Sequence, residues 1–520
     1  MPAAFPDATS PHKPSPFFSG TALIAYLALA RFILYLFAGP NYGYFRDELY
    51  YLACGEHPAW GYVDQPPLFC WIAWLLRHTI GTSLWAMRSV SMLAGVGTII
   101  LTGLLARELG GRRWAIFLAS LSALLAPILL GFSHLFTMNA LDPALWTAIA
   151  FVVVRLSQTG NQRLWLVIGA LAGITILNKY AILFWLVGLL IGVLLTPLRN
   201  SLRQRWFWLA MLITTLIALP NLLWQWRHQF PFLQIMHNVR ESGRDVVLPP
   251  LQYLKAEAEM LGYVAALLVV FALVFFFSKQ GRASRALGWA FLIFLTEMIV
   301  LRGKMYYVTP VFPMMLAAGA VGMERATRGK AWIWAKPALA LGIITVSGIY
   351  APMILPLLSV PHFLAYEHKL GIQQQKIEHN NSGVLPQIYA DMFGWQGIAQ
   401  RVAAFYNSLP PEERARTAIF ANNYGDAGAI DFFGPRYGLP KAIGGHQNYW
   451  IWGPRQYTGE SMIVLGEGRE RNMQTKCASY RIIGNTNDPL SMQDGWLPIY
   501  YCQGFKWNLQ EYWPEIKRWN

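Results

Sequence analysis

Arg46, Asp47 and Glu48 sit in the run Tyr44-Phe45-Arg46-Asp47-Glu48-Leu49-Tyr50-Tyr51, and Asp64 follows in Gly61-Tyr62-Val63-Asp64-Gln65-Pro66-Pro67-Leu68. Both stretches come directly after the first apolar run long enough to cross a bilayer. Charges beside hydrocarbon are costly unless they are partnered or used. Three acids, an arginine and an aromatic-rich proline turn at a bilayer surface therefore read as an active site rather than a connector. A carboxylate there can accept the proton of an incoming hydroxyl, and cations can hold a phosphate. The plainer alternative for Asp47-Glu48 is a helix-start pair in an interfacial segment.

Further charged residues gather at the same bilayer face: Asp142 at the start of the fourth apolar run, Lys179 between the fifth and sixth, and Arg302 and Lys304 between the ninth and tenth. Each has a simpler reading. Lys179 and Lys304 can snorkel to headgroups. Asp142-Pro143 can serve as a helix start, with Asp as the cap and Pro at the first helical position. A loop over about 226–260, with Arg227, His228, His237, Arg240 and Arg244, can close over a site or simply connect two spans.

The elements that must position these residues are membrane helices. The chain has 520 residues, of which 55% are hydrophobic and only 13% charged, and the apolar residues come in long blocks. Runs near 20–38, 83–106, 114–132, 139–154, 164–178, 180–196, 206–224, 261–278, 286–301, 306–323 and 338–358 are expected to span as about eleven helices. Alternate loops carry the basic residues: Arg107, Arg112 and Arg113; Arg155 and Arg163; Arg199, Arg203 and Arg205; Lys279, Arg282 and Arg285; Arg325, Arg328, Lys330 and Lys336. Basic loops stay in the cytoplasm, so the N-terminus is expected inside and the tail outside. The net charge of +15 belongs to this membrane half, because the tail from Pro361 is nearly balanced. No nucleic-acid partner is expected.

Three parts follow from this: a disordered leader over 1–19, a transmembrane catalytic domain over 20–358, and an extracytoplasmic domain over 361–520. The leader lacks the features of a cleaved signal. The tail has ordinary polarity, a helical pattern near 396–409 and strand-like runs at 417–421 and 461–465, which suggests a small α/β unit. Its stretches Tyr424-Gly425-Asp426-Ala427-Gly428-Ala429-Ile430-Asp431-Phe432-Phe433-Gly434 and Gly444-Gly445-His446-Gln447-Asn448-Tyr449-Trp450 suit carbohydrate binding, with turn residues and core aromatics as the alternative. Cys54 and Cys70 flank the first loop, and Cys477 and Cys502 lie in the tail. Two disulfides fit an oxidising compartment; unpaired thiols are the alternative for the first pair. Histidines are scattered and no two cysteines lie two residues apart, so no metal-ligand cluster stands out. The sequence names no cofactor and leaves a divalent-metal requirement open.

The run Asp47-Glu48-Leu49-Tyr50-Tyr51, the Gly61–Leu68 segment, Asp142, Asn178-Lys179-Tyr180 and Gly303-Lys304-Met305-Tyr306-Tyr307-Val308-Thr309-Pro310 together resemble glycosyltransferase family 39. This family includes protein O-mannosyltransferases and bacterial lipid A aminoarabinose transferases and has the membrane-embedded GT-C fold. The resemblance covers roughly 20–325 and implies an inverting transfer of a sugar from a polyprenyl-phosphate donor to an envelope acceptor at the outer face of a bacterial inner membrane. It implies Asp47 as the catalytic base. Glu48, Asp64 and Asp142 would orient it or bind the acceptor. Arg46, Lys179, Arg302 and Lys304 would hold the departing phosphate, and Tyr306 and Tyr307 would line the lipid groove or stack on the sugar, with core packing as the alternative for the two tyrosines. Two other functions compete. A transporter or flippase of lipid-linked glycans also places charges near helix ends, but here the charges gather at one face and no repeat is visible. An assembly protein would leave the acid-rich loop unexplained.

Overall fold

The computed structural model describes residues 17, 19–329, 332–372 and 378–520. The expected leader falls outside them except for residues 17 and 19, as does Lys330. All eleven apolar runs are helical, as expected of backbone that must satisfy its own hydrogen bonds in hydrocarbon.

By length and composition, fewer helices qualify as spans than the expected eleven. Among the described residues seven helices are long and apolar enough to cross a membrane, or up to nine if two bent pairs each count as one span. The other two runs give the shorter apolar helices Arg113–Leu125 and Leu164–Asn178. The breaks have local causes. Ala126, at φ −57° and ψ 122°, leaves the helical region just before Pro127, because a proline ring crowds the residue preceding it. Gly262, at φ 74°, permits the bend of 111° between Pro250–Leu261 and Tyr263–Phe277, a backbone geometry that favours glycine.

The span Met305–Ala326 is 83% enclosed and forms the hub of the bundle, whereas Arg205–Arg227 is 17% enclosed and turns Trp208, Leu212, Leu216 and Leu222 outward. An apolar outer face of that kind suits lipid. At the hub, a Cβ on Gly319 or Gly322 would fall 2.0 or 2.6 Å from the carbonyl oxygens of Leu268 or Phe271. Bare glycines are what let these two helices approach so closely. The chain is thus a multi-pass membrane protein.

The C-terminal region holds a four-stranded sheet of β1 (Thr417–Ala421), β2 (Ser461–Leu465), β3 (Cys477–Asn485) and β4 (Pro498–Phe505). Their order is β1-β2-β4-β3. β1 and β2 are parallel and the other pairings antiparallel. β1, β2 and the helix Trp395–Tyr406 lie where the sequence pattern put them. β3 was not legible because most of its residues are exposed on an edge strand, which removes the alternation that marks a half-buried strand. Cys477 and Cys502 form a disulfide, whereas Cys54 and Cys70 are buried free thiols, so of the two alternatives for the first pair the structure has unpaired thiols. The side-chain amide of Gln65 lies 3.8 and 3.3 Å from their sulfurs.

One face of the sheet does not meet solvent. Ile419, Ile463 and Tyr501, with Ile398 and Val402 of Trp395–Tyr406 and Ile430 of the helix Tyr424–Phe433, share a core with Leu49, Tyr51 and Leu52 of the largely buried helix Arg46–Glu56 and Phe69 of Leu68–Thr79. The C-terminal region is therefore seated directly on the loop that carries Asp47.

Candidate active site

The helix Arg46–Glu56 is anchored before it presents any chemistry. Glu48 Oε2 accepts from the Phe45 amide at 2.8 Å, and Oε1 accepts from the Phe136 amide at 2.9 Å. Arg88 donates to both oxygens, at 3.0 and 3.1 Å, and also to the carbonyls of Gly39, Asn41 and Gly43. Both side chains are 0% exposed. Glu48, expected to orient Asp47 or bind the acceptor, is enclosed and fully hydrogen-bonded.

Asp47, the next residue along, is open. Its side chain is 36% exposed. Oδ1 accepts a hydrogen bond from the Tyr424 hydroxyl at 2.8 Å and lies 3.8 Å from Arg46 Nε. Arg46 reaches Asp391 at 3.6 Å and sits over the Tyr424 ring at 5.5 Å. Burial pushes Asp391 up to about 6 against the pull of Arg46.

Asp64 accepts from the Tyr50 hydroxyl at 3.0 Å, and Tyr50 in turn accepts from Asn448 Nδ2 at 2.7 Å. Burial pushes Asp64 up to about 7, opposed by the Tyr50 hydrogen bond. Asn448 Oδ1 also accepts from the Val63 amide at 3.1 Å. The Gly61–Leu68 turn is therefore held from the C-terminal region.

Asp142 opens the helix Asp142–Thr159, but its side chain caps nothing there. Oδ1 accepts from Asn178 Nδ2 at 2.7 Å, and Oδ2 is buried without a hydrogen-bond partner among the described residues. At 0% exposure Asp142 ties the Asn178-Lys179 corner to the start of its helix. Lys179 does not snorkel. Its ammonium donates to Asn139 Oδ1 at 2.6 Å and lies 5.2 and 4.7 Å from the Tyr306 and Tyr307 ring centroids, a cation–π seat. The two tyrosines thus serve the lysine rather than the core alone.

Lys304 is also held, by Asp245 and Glu378, each at 3.0 Å. Asp245 comes from the 226–260 segment, between the helices Pro231–Ser242 and Pro250–Leu261, Glu378 comes from the C-terminal region, and Arg244 approaches Glu378 at 3.5 Å. Burial would raise Glu378, but Lys304 and Arg244 hold it below the usual carboxylate range, with a smaller pull from Arg46. Glu378 thereby links the Lys304 and Arg46 groups. Arg302 is not brought in: it is exposed, at φ 57°, and takes part in none of these contacts.

The sequence reading missed Tyr424, Glu378, Asp391, Asn139 and Arg88. For Tyr424 a signal existed in Gly425 and Gly428, spaced three apart on one helical face. The others meet their partners across 40 residues or more and leave no local pattern.

Residues 64–224 match the family model described as dolichyl-phosphate-mannose-protein mannosyltransferase. Lipid A galacturonosyltransferase RgtD of Rhizobium johnstonii is 25% identical over 212 residues, covering 40% of this chain and 44% of that protein, so the alignment spans less than half of the relative's length. The crystal structure of ArnT from Cupriavidus metallidurans bound to undecaprenyl phosphate has the same fold, with a TM-score of 0.60 at 14% identity over 92% of this chain and 98% of that one. Its apo form gives 0.57 at 14% identity, over 92% and 97%. Residues 64–224 are thus similar to that family, and the whole chain shares the fold of the two ArnT structures.

Proposed function

We propose that this chain transfers a sugar, with inversion, from a polyprenyl-phosphate-linked donor to a hydroxyl of an envelope acceptor, whether lipid, glycan or protein. The reaction runs at the outer face of a bacterial inner membrane, with the C-terminal region on that side. The carrying observation is the contrast among the acids: Asp47 is open to an incoming hydroxyl, while Glu48 and Asp142 are fully enclosed. Likeness of fold to a protein solved with undecaprenyl phosphate supports the donor class.

In this reading Asp47 takes the proton of the acceptor hydroxyl as its oxygen attacks the anomeric carbon. The bond from that carbon to the lipid phosphate breaks, and the phosphate leaves with the electron pair. Lys304 and Lys179 neutralise the leaving phosphate, with Arg46 beside them. The phosphate replaces Asp245 and Glu378 as the partner of Lys304, so a cation already desolvated and aimed meets the developing charge, an arrangement worth several kcal/mol. Asp64 orients the turn through Tyr50.

The test is release of free polyprenyl phosphate from a panel of polyprenyl-phosphate sugars by purified protein in lipid nanodiscs, with envelope extract as acceptor source. Release by wild type and none by Asp47→Asn is expected. Undiminished release by Asp47→Asn would remove Asp47 from the chemistry, and no release from any donor by folded protein would favour a transporter.

A further inference from the structure

We propose that Tyr424, carried by the C-terminal region, is the positioning residue of Asp47: its hydroxyl holds Oδ1, so that Oδ2 is presented to the acceptor hydroxyl. The inference rests on the reading of Asp47 as the base.

Several contacts fix Tyr424 itself. Its ring packs on Tyr50 at 4.7 Å and stacks on His446 at 5.2 Å and 27°, with the Arg46 guanidinium over it. Its amide donates to His446 Nδ1 at 3.1 Å. Burial pushes His446 down to about 3, so the imidazole is neutral and that nitrogen is free to accept. A tyrosine held at its ring, its amide and its hydroxyl has little freedom to do anything but locate the carboxylate.

The Gly-rich run around Tyr424 now has a physical account. A Cβ on Gly425 would fall 2.8 Å from Arg46 Cγ and 2.9 Å from the Trp395 ring, and one on Gly428 would fall 3.1 Å from Leu49 Cβ. The helix Tyr424–Phe433 lies flush on Arg46–Glu56 because two positions on its contact face have no side chain. Asn423 caps that helix by accepting from the Asp426 amide at 2.8 Å. Cap and glycines together set the height of Tyr424 above Asp47.

A carboxylate tied at one oxygen keeps the lone pairs of the other in a fixed direction, which a proton transfer needs. Among the described residues no hydrogen bond reaches Asp47 Oδ2. The groups facing Asp47 are Arg46 and Tyr51 on its own helix, Asp64 from the following turn, and Asp391 and Tyr424 from the C-terminal region. Of these, Tyr424 donates the hydrogen bond. Donation favours the ionised form, so its loss should move the acid limb of the pH–rate profile upward.

The experiment compares full-length wild type, Tyr424→Phe and Asp47→Asn in nanodiscs, following release of polyprenyl phosphate from whichever panel donor the wild type uses. For Tyr424→Phe, kcat is expected to fall on the order of tenfold to a hundredfold, the donor KM to stay within about twofold, and the acid limb to rise by about one pH unit. An unchanged kcat and acid limb overturns the proposal, as does a loss confined to donor KM. If Tyr424→Phe does not fold, 3-fluorotyrosine at position 424 keeps the shape and strengthens the donor; its acid limb should then move down, and an unmoved limb overturns the proposal. The two readings fail differently. An active Asp47→Asn removes the base and this inference with it, whereas an inactive Asp47→Asn beside a wild-type-like Tyr424→Phe removes the inference alone.

Discussion

Asp47 and Glu48 are neighbours in sequence with opposite fates. Glu48 and Arg88 form a pair with no exposure, every oxygen of the acid occupied and the arginine also spread over three carbonyls. Asp47 and Arg46 form a loose pair at 3.8 Å with about a third of each side chain open. A carboxylate so fully satisfied has no lone pair left for chemistry, while a free one lacks a fixed direction. The helix Arg46–Glu56 carries both cases on adjacent residues: one acid locks the helix start, and the other stands on it open to solvent.

The largest test of that division is Asp47→Asn. Activity should fall by about 10²–10⁴-fold, the range for loss of a general base, with thermal midpoint and expression near wild type. A change in stability comparable to the rate loss would erase the division. Arg88→Ala should do the reverse, destabilising by about 3–5 kcal/mol because Glu48 is left as a buried charge without its partner. Melting in detergent or nanodiscs measures this. Replacing both partners, as in Glu48→Gln with Arg88→Met, should recover part of that loss; no recovery would mean that the carbonyl contacts of Arg88, rather than its ion pair, hold the loop.

A smaller effect is expected from Lys304→Ala, which should raise donor KM about tenfold through loss of a charge-assisted contact while leaving the preference among acceptors alone. Equal changes in both would argue against a phosphate role. The smallest concerns Asp64. Its pKa in the folded protein, about 7, lies above that of an unfolded chain, so the folded state binds more protons between about pH 4 and 7 and stability should fall as pH rises through that window. Asp64→Asn should flatten the upper part of the slope, and an unaltered slope would assign it to Asp391, Asp426 and Asp431, each raised to about 6.

Much of the membrane half was legible because its signal is local. An apolar run of bilayer length has few outcomes, and all eleven runs are helical. Helix ends were less legible, as at Pro127 and Gly262, since hydropathy averages over such points. The acids and lysines were also legible, because a charge beside hydrocarbon demands a reason. Their division of labour was not. Whether Glu48 or Asp47 faces solvent depends on Arg88, forty residues away, and the partners of Lys304 lie fifty-nine and seventy-four residues away. The tail was least legible, since its glycines gain meaning only from the surface they press against.

The Tyr424–Asp47 hydrogen bond closes a loop of 377 residues. Long-range contacts of this kind form late, after the entropy of closing the loop has been met. During synthesis the bundle inserts first, and the helix bearing Asp47 waits while the intervening chain is made. A nascent or truncated chain can therefore hold every membrane span and still lack the hydroxyl that aims its carboxylate. Under the proposed reading, order of assembly leaves that carboxylate unaimed until the C-terminal region has folded.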